Sequence, residues 1–151
     1  MEITEEKLSK KKVLIIIVIT LIITGAILTP IIIILQSNLN NGGQTNISVD
    51  TAYDMITDKE TYPDLIILDV RTLSEYNDGH INNSILIPNT ELESRIDELS
   101  GYENIEIIVY CRTGGRSALA SGILVDHNFT EVYNMLGGFD AWKADSYPFV
   151  M

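Results

Sequence analysis

Cysteine occurs once in this chain, at position 111, so no disulfide can form within it, and whatever Cys111 does it does as a single thiol. Histidine occurs twice, at 80 and 127, with no second cysteine to complete a zinc-type spacing, so the sequence offers no metal motif and calls for no metal or cofactor. Positive charge is also scarce: ten Lys and Arg stand against 21 Asp and Glu, a net charge of −11. No basic run with interleaved aromatics appears in the acidic part of the chain, which argues against nucleic acid as a partner. Internal repeats and low-complexity tracts are absent as well.

What is abundant is unevenly placed. From Val13 to Leu35 the chain runs 23 residues without an ionisable side chain, and 18 of them are apolar. As a helix this run is ~34 Å long, about the hydrocarbon thickness of a bilayer with some tilt. A transmembrane helix is expected over residues 13–35, with Pro30 kinking it or ending it early. A cleaved signal peptide is the competing reading, but its apolar region is shorter and finishes at a small-x-small site, which Gln36-Ser37-Asn38-Leu39 does not supply.

Four lysines (7, 10, 11 and 12) precede the run, and the next basic residue is Lys59. The positive-inside rule therefore keeps residues 1–12 as a cytoplasmic tail and puts the remainder on the extracytoplasmic side. Residues 36–46, rich in Asn, Gly and Gln, read as a flexible tether with an r.m.s. span of about 18 Å. Residues 47–151 are then the folded domain, with six basic and 18 acidic side chains. Asn46, Asn82 and Asn128 each begin an N-x-S/T triplet, a frequent chance match in an Asn-rich chain.

Within that domain strands and helices alternate. The continuous apolar runs Leu65 to Val70 and Ile105 to Tyr110 suit strands buried on both faces. Ser84 to Ile87, Val132 to Met135 and an edge strand at Ile47-Ser48-Val49 bring the number to five. Helices are expected after Ser48 or Asp50 as a cap, over Glu91 to Leu99 with Gly101 at its stop, over Ser117 to Val125, and around Ala141-Trp142 after Gly137-Gly138. Asn128 stands where a chain reversal needs positive φ. The fold class is α/β: a five-stranded parallel sheet flanked by helices.

Chemistry concentrates between the strand ending at Tyr110 and the helix after it, in Cys111-Arg112-Thr113-Gly114-Gly115-Arg116-Ser117. Ligands of open parallel sheets bind at the carboxyl ends of strands. Two glycines let backbone N–H groups turn toward an anion, the helix N-terminus adds partial positive charge, and Arg112 and Arg116 add full charges. A thiol in that field ionises more readily, and the thiolate is the nucleophile. The bland alternative is a small buried hydrophobe beside a tight turn; two Arg and two Gly in the five residues after Cys111 make it the poorer one.

VYCRTGGRSALA, with LDVRTLSEYNDGHINNSILIP upstream and VYNMLGGFDAW downstream, resembles the rhodanese domain over roughly residues 49 to 144. The resemblance implies a rhodanese-like fold and a thiosulfate sulfurtransferase-like enzyme. In it Cys111 takes a sulfane sulfur from a small anionic donor, holds it as a persulfide and passes it to a thiol or other nucleophilic acceptor. Arg112, Thr113, Gly114, Gly115 and Arg116 form the loop around the transferred sulfur.

Asp69, Arg71 and Glu75 match the family's D-x-R and E-Y positions, and a buried ion pair bracing the strand end explains them. His80 matches G-H-I and reads as a turn anchor. Loop length separates a neighbouring chemistry, since cysteine phosphatases use C-x5-R whereas this chain has C-x4-R. Departures fall at Asn82-Asn83-Ser84, often Pro-Gly-Ala in the family, and at Asn128-Phe129, often Gly-Phe; Asn tolerates left-handed backbone. Two alternatives stand beside the enzyme: a non-catalytic rhodanese-like binding or redox-sensing module at the membrane and, with less support, a cysteine phosphatase.

Overall fold

The computed structural model describes residues 43–151, and the expected cytoplasmic tail and membrane span lie outside them. Five parallel strands, β1 (Thr45–Ile47), β2 (Ile66–Asp69), β3 (Ile85–Leu86), β4 (Ile107–Tyr110) and β5 (Val132–Met135), form one sheet in the order β1-β5-β4-β2-β3. Four α-helices accompany them: α1 (Val49–Thr57), α2 (Leu73–Asn77), α3 (Gly115–Asp126) and α4 (Gly138–Ala144). Among the described residues no helix is long and apolar enough to cross a membrane.

Side chains alternate across the sheet with the two-residue period of a strand, so the continuous apolar runs feed two cores. Ile67, Ile108 and Tyr110 face one core with Ala52 and Met55 of α1 and Trp142 of α4. Leu68, Val70, Ile107, Val109 and Cys111 face the other with Leu92, Leu99, Ala120 and Leu124. β4 is central and buried along its whole length, and Cys111 follows directly at its carboxyl end.

Several boundaries differ from the sequence reading. β1 takes Thr45 and Asn46 from the end of the expected tether and stops at Ile47, because Ser48 leaves the strand to cap α1, its hydroxyl accepting from the Thr51 amide at 3.1 Å. Val49 is thus helical. Leu92–Leu99 forms a 3-10 helix rather than an α-helix; its start lacks a side-chain cap, and the Ser94 hydroxyl bonds back to the Glu91 carbonyl at 2.9 Å.

Helix α2 was not anticipated. It is held by a capping box in which Thr72 accepts from the Glu75 amide while the Glu75 carboxylate accepts from the Thr72 amide. Asn83 and Asn128 have φ of 63° and 68°, the left-handed turns that asparagine tolerates. The C-terminal segment pairs with the turn after α2, His80 and Val150 exchanging backbone hydrogen bonds of 2.8 and 2.9 Å in an isolated antiparallel bridge.

Candidate active site

Cys111 is the first residue after β4, and α3 begins four residues later. The short turn between them closes because Gly114, the residue before α3, takes φ 103°, where a side chain would be strained. Its amide then donates to Cys111 Sγ at 3.1 Å, and the Ser117 hydroxyl lies 3.6 Å from the same sulfur. Burial pushes the thiol pKa up, but hydrogen bonds from the Ser117 hydroxyl and amide and from the Gly114 and Thr113 amides outweigh it, and the net shift is downward. The donors thus converge on one sulfur and favour its anion. Cys111 itself is only 1% exposed, with the exposed residues Arg112 and Thr113 next to it in the loop.

Arg116, in the first turn of α3, forms a two-pronged ion pair with Glu75 of α2, at 2.7 and 2.8 Å. This corrects the grouping of Glu75 with Asp69 and Arg71: its partner is 41 residues away and half-exposed, because α2 carries the carboxylate toward the Cys loop instead of back to its own strand. The Arg116 hydrogen bonds hold the Glu75 carboxyl at about 2. The pKa of Arg116 is raised, mainly by Glu75 and in smaller part by the charge on Cys111.

Asp69 and Arg71 form a fully buried pair on their own. Arg71 Nη2 donates to Asp69 at 2.6 Å and to the Gly79 carbonyl at 2.8 Å, and its guanidinium lies 4.2 Å from the centroid of Phe139. His80 stacks on Tyr76 at 3.7 Å between ring centroids and its Nδ1 contacts the Tyr76 carbonyl at 3.0 Å, at the turn after α2. A hollow of about 130 Å³ beside the loop is lined by Arg71, Glu75, Asp78, Arg112, Asp140 and Lys143, a mixed set of charges. Among the described residues no three His, Cys, Asp or Glu side chains are grouped as metal ligands.

Two features of the site escaped the sequence reading. Gly138, at φ 57°, brings the start of α4 onto the Cys loop, where the Phe139 amide donates to the Cys111 carbonyl at 2.8 Å and the Asp140 amide to the Arg112 carbonyl at 3.0 Å. The Gly137-Gly138 pair was a visible signal for a close backbone approach. The second is a polar chain running from the core to the surface: Ser117 Oγ donates to Asn134 Oδ1 at 2.7 Å, and Asn134 Nδ2 donates to the exposed Asn46 at Oδ1, 2.8 Å away. An asparagine inside the buried strand β5 was its only trace in the sequence.

The sequence model of the family described as Rhodanese-like domain matches residues 48–145. YrkF of Bacillus subtilis, a candidate sulfur carrier protein, is 40% identical over 78 residues, which cover 52% of this chain and 41% of that protein, so the match spans less than half of YrkF. The thiosulfate sulfurtransferase GlpE of Coxiella burnetii is 33% identical over 81 residues, covering 54% of this chain and 74% of GlpE. Among solved structures, the rhodanese-related protein of Thermoplasma volcanium superposes with a TM-score of 0.60 at 30% identity, covering 70% of this chain and 97% of that one. Similarity of this degree supports sulfur transfer, in general terms, as the activity.

Proposed function

The chain belongs to the rhodanese-like domain family, and from that footing we propose that it is a membrane-anchored sulfurtransferase working through a Cys111 persulfide, with thiosulfate as donor. The Cys111 thiolate attacks the outer sulfur of thiosulfate; the S–S bond of the donor breaks and its electron pair leaves with sulfite. The sulfane sulfur stays on Sγ as a persulfide anion. A nucleophile such as cyanide or a thiolate then attacks the terminal sulfur, the enzyme's S–S bond breaks, and the pair returns to Sγ as thiolate. Both anionic states suit a cup of inward N–H donors.

The observation that carries the reading is the convergence of donors on one sulfur within a C-x4-R loop. Thiosulfate is named as donor by analogy with GlpE, and the anchor and extracytoplasmic placement rest on the apolar run 13–35 and the lysines before it.

The test is to incubate the chain with thiosulfate and look by intact mass for one added sulfur, then for thiocyanate when cyanide is added. If neither forms, or Cys111→Ser performs equally, the proposal fails. One observation favours the binding-module reading instead: at 1% exposure, Cys111 presents almost no surface to a donor. Capture of a partner that survives Cys111→Ala, together with no sulfur loading, would decide for that module. Protease protection of the domain in intact cells, lost when they are opened, would place it in the cytoplasm and overturn the orientation.

A further inference from the structure

We propose that Ser117 is a shared donor whose single hydroxyl proton alternates between Asn134 Oδ1 and Cys111 Sγ, with Asn134 held in position by Asn46. A serine hydroxyl has one proton to give. Three acceptors compete for it here: Asn134 Oδ1 at 2.7 Å, the Gly114 carbonyl at 3.1 Å and Cys111 Sγ at 3.6 Å. Ser117 is 0% and Asn134 2% exposed, so both lie out of bulk solvent. Asn46 and Asn134 are register partners on the paired strands β1 and β5, and the Asn134 Nδ2 to Asn46 Oδ1 bond turns the Asn134 oxygen toward Ser117.

This inference rests on the sulfur-transfer reading for its purpose. In the persulfide state Sγ is neutral, and the hydroxyl remains with Asn134. When the enzyme's S–S bond breaks and its electron pair returns to Sγ, the anion becomes the better acceptor, and a turn about the Ser117 side-chain bond delivers the hydroxyl. Ser117 would then touch the reacting atom, while Asn134 and Asn46 are positioning residues.

The assay is the pH dependence of alkylation of Cys111, the sole thiol, by iodoacetamide on the full chain, read by intact mass. The charged groups around the loop, Arg112 and Arg116, Glu75 on α2 and Asp78 just after it, Asp69 of β2 with Arg71 just beyond the strand, and Asp140 and Lys143 of α4, are the same in every variant. Ser117→Ala removes the donor and should raise the midpoint by about one pH unit, roughly tenfold slower alkylation at a fixed pH below it. Asn134→Leu removes the strongest competitor and should lower the midpoint; a purely structural role would not split the two in opposite directions. Should Asn134→Leu fail to fold, Asn46→Ala, at an exposed position, should give a smaller downward shift. Shifts of the same sign, or none, overturn the shared donor. Sulfur loading from thiosulfate is measured separately: split midpoints without loading sink the transferase reading alone, and loading without a split sinks only this inference.

Discussion

Gly138→Ala is the sharpest single perturbation of the site that leaves every site side chain intact. A Cβ built at this position lies 2.6 Å from the carbonyl carbon and oxygen of Arg112, and closer still to the Cys111 carbonyl. Real Cβ atoms do not come so near, and the obstacle is backbone, which cannot rotate aside. Position 138 is also left-handed at φ 57°, a conformation costing an alanine about 1 kcal/mol. If α4 backs away, the bonds from the Phe139 and Asp140 amides are lost, at about 1 kcal/mol each. The sum is about 3 kcal/mol.

Urea unfolding followed through Trp142, the chain's single tryptophan and itself on α4, measures the loss directly. Gly122→Ala is the internal control. Its Cβ meets nothing within 4 Å, and in a helix interior it should gain about 0.5–1 kcal/mol. A cost below about 1 kcal/mol for Gly138→Ala would refute the packing argument.

Three other perturbations follow from the same geometry. Because the Glu75 carboxyl sits at about 2 in the fold against an ordinary 4.5, its ion pair contributes stability that is complete above pH 4.5 and is lost as pH falls toward 2. Solvent screening holds that contribution to about 1 kcal/mol, and acid titration of Glu75→Gln should lack that part of the wild-type slope. Arg71→Met strands Asp69, a fully buried carboxylate, and should cost about 3–5 kcal/mol in urea unfolding, whereas Asp69→Leu with Arg71→Met together should recover most of it. Cys111→Ser, the least intrusive change at the site, should abolish sulfur loading while leaving the urea midpoint within about 1 kcal/mol of wild type.

The sheet was legible because its central strands carry their own signal. Ile66–Asp69 and Ile107–Tyr110 are short runs, apolar but for Asp69 and buried almost throughout, the pattern of strands covered on both faces of a parallel sheet. The Cys loop was legible for a different reason, since Gly114 and the arginines act within a few residues of the sulfur. What stayed hidden is non-local or too short for a period. Helix α2 has five residues and none buried, so no hydrophobic stripe marks it, although Thr72 and Glu75 spell its capping box. The pairing of Glu75 with Arg116 and the Ser117–Asn134–Asn46 chain join residues far apart in sequence, and the spacing rules that find a helix face or a strand are blind to them.

A trans peptide unit points its C=O and its N–H in opposite directions. The Arg112 carbonyl belongs to the same rigid plane as the Thr113 amide, so when the Asp140 amide draws that oxygen to one side, the Thr113 hydrogen is turned to the other, and that amide is one of the groups that lower the thiol pKa. The electrical sense of the bowl is therefore imposed in part from behind, by a segment 25 or more residues downstream that makes no hydrogen bond to the sulfur. Reactivity at position 111 can accordingly be retuned by mutations in the final helix, with no change to the loop's own six letters.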